Sequence, residues 1–92
     1  MNSEIKTYNG WSNYATWRVK LELFDDTGLF EDSRYESVSD LSEDLKIMAT
    51  EAIDPSGKGG LAVDYAEAFL DDVNWYEIAE HIAKDLPAIM KN

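Results

Sequence analysis

The apolar residues of this chain recur at the spacing of an α-helix, and no stretch alternates convincingly as a strand would. Val38, Leu41, Leu45, Met48, Ala49 and Ala52 follow one another at steps of 3, 4, 3, 1 and 3. At 3.6 residues per turn those steps put all six on one side of a helix. That helix starts near Ser37 or Ser39 and ends before Asp54-Pro55, because proline disfavours helical geometry in the residue before it. The same period predicts a helix over residues 13–24, capped by Asn13 or Ser12, with Tyr14, Trp17, Leu21 and Phe24 as its buried stripe. Asp25-Asp26-Thr27-Gly28 stops it, with Gly28 in the left-handed cap conformation. A third helix is expected over residues 61–72, with Ala62, Tyr65, Ala66 and Phe69 inward. The best-marked boundary follows. Asn74 is an N-cap, Glu77 stands at the capping-box position, and Val73 and Ile78 occupy the two staple positions. The fourth helix turns Trp75, Ile78, Ala79, Ile82, Ala83 and Leu86 inward and ends at Pro87. Residues 29–35 fit a helical turn or a loop, with Leu29, Phe30 and Tyr35 as tethers. Residues 1–10 read as an extended lead-in closing on Asn9-Gly10, and residues 54–60 as a flexible loop. The expected fold is all-α: one domain over residues 1–92, a compact bundle of about four helices.

Composition then narrows the function. Of 92 residues, 45% are apolar and 12% aromatic, enough for a modest core and too much for a disordered acidic chain. The absence of cysteine excludes disulfides, thiolate metal sites and cysteine nucleophiles, and fits a reducing compartment. No apolar run approaches the ~20 residues of a membrane helix. Met1-Asn2-Ser3-Glu4-Ile5-Lys6 lacks the apolar stretch of a signal peptide. The chain therefore reads as cytoplasmic, in a bacterial host cell.

Charge is the most uneven property. Residues 1–24 hold three bases and two acids, whereas residues 25–92 hold five bases and seventeen acids. Direct binding to nucleic acid needs a positive footprint, which is missing here. A basic partner is the natural complement. The acids also fall in rows. Glu36, Asp40, Glu43, Asp44 and Glu51 cover the outside of the second helix, and Asp64, Glu67, Asp71 and Asp72 the outside of the third. Like charges four apart repel by a few tenths of a kcal/mol per pair, and few lysines are interspersed to relieve them. Such rows suit the occupation of a nucleic-acid groove on another protein. They equally suit a chain kept soluble by its charge. Tyr8 and Trp11, in a dense aromatic cluster with Tyr14 and Trp17, are candidate exposed anchors for a partner.

Other constellations carry less. Glu77, His81 and Asp85 share a helix face, yet a zinc site wants a second histidine or a cysteine. Ser56-Gly57-Lys58-Gly59-Gly60 lacks the spacing and the preceding strand of a phosphate-binding loop. No nucleophile or acid–base pair can be named. The expectation is a non-enzymatic protein without metal or cofactor.

Two segments carry a resemblance. Residues 8–17, Tyr-Asn-Gly-Trp-Ser-Asn-Tyr-Ala-Thr-Trp, resemble the N-G-W-x-N-Y-x-T-W signature of a family of small proteins borne by phages, plasmids and other mobile elements. Residues 73–81, Val-Asn-Trp-Tyr-Glu-Ile-Ala-Glu-His, resemble that family's closing V-[DN]-W-x-x-I-A segment. The resemblance implies a mobile-element accessory protein and assigns no functional residue. Small acidic phage proteins include anti-CRISPR and antirestriction inhibitors. By that analogy the chain inhibits a host nuclease or RNA-guided defence complex through its basic surface. The alternative is a small regulatory or structural interaction module, with a homodimer among its forms, acting on a phage or plasmid protein.

Overall fold

Four helices and two short 3-10 turns make up the computed structural model, which describes residues 10–91. Lys6, Tyr8 and the lead-in expected before Gly10 lie outside those residues. Helix α1 (Tyr14–Leu23) begins at Asn13, whose side-chain oxygen accepts the Thr16 N–H at 2.8 Å. Its buried face is Ala15, Thr16 and Val19. The expected stripe is therefore rotated. Phe24 is buried just past the helix, but Trp17 is only half-buried and Tyr14 and Leu21 are exposed. The small Ala15 and Thr16 let α1 close on α4 (Trp75–Asp85), while the bulky residues fall to the flanks.

Gly28 corrects a second expectation, because it does not take a left-handed conformation. It lies in a 3-10 turn, Thr27–Phe30, where the Asp26 carboxylate accepts its N–H at 2.9 Å. That turn drives Phe30 into the core, its ring 6.4 Å from Phe24, and leaves Leu29 exposed. Tyr35 then meets the end of the chain. Its N–H donates to the Ile89 carbonyl (2.7 Å), and its carbonyl accepts from the Lys91 N–H (2.8 Å).

Helix α2 (Val38–Ile53) starts at Ser37, whose hydroxyl accepts the Asp40 N–H at 3.1 Å, and ends at Asp54 before Pro55. Leu41, Leu45 and Ala49 are fully buried against α4, which supplies Ile78, Ala79 and Ile82. This pair is the centre of the molecule. Burying each large aliphatic side chain contributes about 1.5–3 kcal/mol. Ala52, expected inward, is exposed. Helix α4 stops at Asp85, and Pro87 opens the second 3-10 turn, Pro87–Ile89, which buries Ile89.

Helix α3 (Leu61–Leu70) is the exception. It follows Gly60, which holds φ at 122° and offers no side-chain cap. Its main neighbour is α2, and of its own residues only Leu70 is buried. The inward assignment of Ala62, Tyr65 and Phe69 is therefore overturned: all three are exposed, and Ala66 is half-buried. Neither α1 nor α4 is among its main neighbours.

Candidate protein-binding surface

The two segments that carry the family resemblance meet in space. The Ser12 hydroxyl and N–H both donate to the Glu77 carboxylate, at 2.6 Å and 3.1 Å. The Asn13 amide donates to the Asp72 carbonyl at 2.9 Å. The buried Thr16 hydroxyl accepts the Asn74 N–H at 2.8 Å. This seam alters two expectations. Asn74 caps α4 by accepting the Glu77 N–H at 3.0 Å, and Val73 and Ile78 are buried as a staple. The reciprocal half of the capping box is absent, because Glu77 is turned to Ser12 and Thr16 takes the cap's N–H. Trp11 is not an exposed anchor either. It is buried, with its ring 4.1 Å from that of His81. Glu77 and His81 are thus engaged with the N-terminal segment. Among the described residues no three histidine or carboxylate side chains are grouped to hold a metal.

Of the acids expected on the second helix, Asp40, Glu43 and Glu51 lie exposed on its outer side. At 100° per residue, Asp40, Glu43, Asp44 and Glu51 share one face of α2, with the exposed Ile47 between them. From Asp40 to Glu51 the row runs about 16 Å. Asp44 is half-buried and accepts a hydrogen bond from the Tyr35 hydroxyl, so it also ties α2 to the chain before it. Burial, and then that bond to Asp44, push the Tyr35 phenol above its ordinary range. Glu36, just outside the helix, pairs with Lys91 at 3.0 Å. Among the described residues, Asp40, Glu43, Glu51, Asp64, Glu67, Asp71 and Asp72 make no ion pair, and all seven are exposed.

On α3 the acids occupy only one flank. Asp64, Glu67 and Asp71 lie on the side turned away from Phe69. The opposite flank is apolar: Tyr65 is 71% exposed and Phe69 37%, and Leu61, the first residue of the helix, is 71% exposed. Between this flank and α1 runs an open trough of about 400 Å³ lined by Val19, Leu23, Ile53, Ala66, Phe69 and Leu70, with Arg18 and Glu22 at its lip. Tyr14 bridges the trough edge-on to Phe69, centroids 6.2 Å apart. Arg18 donates to both the Tyr14 hydroxyl and Glu22, at 2.8 Å each; the bond to Tyr14, then that to Glu22, hold its guanidinium above its ordinary range. The helical spacing of Tyr65, Ala66 and Phe69 makes this strip conspicuous in sequence and suits a core face equally well. The missed signal was composition, since eight of the ten α3 residues are apolar, more than one buried side of a short helix requires.

Residues 54–60 form an exposed loop except for half-buried Asp54, which accepts the Gly59 N–H at 3.1 Å. Among the described residues no helix is long and apolar enough to cross a membrane. A family of unknown function (DUF7249) matches the chain over residues 4–92. No curated protein and no solved structure matches it.

Proposed function

We propose that this chain, which belongs to that family of unknown function, is a non-catalytic binding protein of a phage or mobile element that occupies a basic surface on a host defence complex, in the anti-CRISPR manner. One observation carries the reading. Seven exposed carboxylates on or beside α2 and α3 have no ion-pair partner among the described residues. Unrelieved like charge is a standing cost to the free protein and becomes an attraction against a lysine- and arginine-rich groove. The mobile-element resemblance supplies the context and the host complex its cytoplasmic setting. Neither direct nucleic-acid binding nor enzymatic activity belongs to this reading.

The experiment is a pull-down of purified CRISPR and restriction complexes, paired with phage plating on defended cells. Capture that weakens steeply between low and high salt, with rescue of phage growth, is the expected result. No capture and no rescue would sink the proposal. The second reading, a regulatory interaction module, is favoured by the open apolar flank of α3. Reversing Asp64, Glu67 and Asp71 to lysine separates the two: the inhibitor loses binding, and the module keeps it.

A further inference from the structure

The most apolar helix of the molecule is its least buried one, and nothing in the described fold requires that. We infer that the trough between α1 and α3, with the exposed flank of α3 as its wall, docks a cationic amphipathic helix from another protein. This deepens the proposed function, on which it rests, by moving the anchoring contact from the acidic rows to an apolar seat beside them.

Three features define the occupant. The trough is lined by Leu23, Ile53, Ala66, Phe69 and Leu70 and holds about 400 Å³, room for two or three large apolar side chains. Tyr65, exposed one turn before Phe69 on the same side of α3, extends the apolar surface past the edge of the trough. Along α1 the lining runs from Tyr14 to Leu23, about 13 Å of helix, which matches apolar positions i, i+3 or i+4, and i+7 of an incoming helix. Charge selects its sign. Arg18, the base among the lining residues, and Glu22 beside it neutralise each other as an ion pair, whereas Asp72, which makes no ion pair among the described residues, lines the neighbouring hollow beyond Tyr14 and Phe69. The acids on the far flank of α3 extend the negative field around the seat. A second copy is disfavoured as occupant because it would bring another net charge of −11 to the contact.

The test uses the full chain and three synthetic peptides of equal length. One is a Leu/Lys peptide with leucine at amphipathic helical spacing, one is its Leu/Glu counterpart, and one is oligolysine. Titration calorimetry in moderate salt should show the Leu/Lys peptide binding at least 10-fold more tightly than oligolysine, and no binding of the Leu/Glu peptide. Tyr65→Ser, at an exposed position, should weaken the Leu/Lys peptide at least 5-fold without moving the melting temperature. Phe69→Ser should weaken it further. Equal affinity for oligolysine and Leu/Lys, indifferent to Tyr65→Ser, would overturn the apolar seat while leaving a charge-driven function standing. Capture of a defence complex that survives both serine variants would overturn the seat in the same way. Concentration-dependent dimerisation in sedimentation, abolished by Tyr65→Ser, would overturn the heterologous occupant. Should neither cationic peptide bind, the seat falls, and the pull-down decides the function separately.

Discussion

Thr16 is polar, fully buried, and bonded across the molecule rather than along its own helix. Its hydroxyl accepts the Asn74 N–H, the donor a capping box would have satisfied locally. Thr16→Val keeps the shape and removes the acceptor, which should cost about 1–2 kcal/mol. For a domain of this size that lowers the melting temperature by roughly 4–8 °C per kcal/mol. Thr16→Ser should recover part of the loss in the same thermal scans. An unchanged melt in the valine variant would mean that water serves Asn74 equally well. Tyr35 makes a different prediction. Its phenol is raised first by burial and then by donation to Asp44. The folded state therefore holds this proton more tightly than the unfolded chain. The resulting stability is fully present below the ordinary tyrosine range, about pH 10, and is lost as pH rises through the folded value. Urea melts from pH 8 to 11 should show stability falling at the alkaline end. Tyr35→Phe should flatten that fall, and an identical slope in both proteins would rule out Tyr35 as its source.

At the scale of elements, α2 and α4 contrast with α3. Leu41 on α2 is fully buried and Leu61 on α3 is 71% exposed. Leu41→Ala should cost roughly 2–5 kcal/mol, and Leu61→Ala no more than about 0.5 kcal/mol, as read from urea midpoints. Native-state hydrogen exchange should find α3 opening first, because it has few buried contacts and no side-chain N-cap. Equal protection of α3 and α2 amides would show that the open flank is better supported than its burial implies. The element boundaries were legible in sequence wherever a cap spoke for them: Asn13, Ser37 and Asn74 each accept the predicted kind of N–H. Helical faces were less legible. Tyr14 and Leu21 follow the period as well as Ala15 and Val19 do. Side-chain size decided between them, because only the small face lets α1 approach α4.

For the whole molecule, 19 acids oppose 8 bases, and the three ion pairs among the described residues all bridge partly or largely exposed side chains. Such pairs are each worth about 0–1 kcal/mol, too little to offset the general repulsion. Sodium chloride should therefore stabilise the protein as it screens that repulsion. Neutralising Asp64, Glu67 and Asp71 to Asn, Gln and Asn should raise the low-salt melting temperature and shrink the salt response. A melt indifferent to salt in both proteins would mean that the rows impose no cost, and the main support for the proposed function would go with it.

The sequence by itself determined where the helices lie, where most of them start and stop, and that the outer faces of α2 and α3 carry unrelieved negative charge. Those properties come from backbone preferences and side-chain spacing within a few residues. Only the tertiary structure decided which apolar stripes are covered. A stripe is buried when a second element closes over it, and that depends on helices distant in sequence. The same limit hid the seam, where Ser12 claims Glu77 and Thr16 claims Asn74 across some sixty residues. It also hid the trough, because the strip of Tyr65, Ala66 and Phe69 looks the same in sequence whether its partner is α1 or another protein.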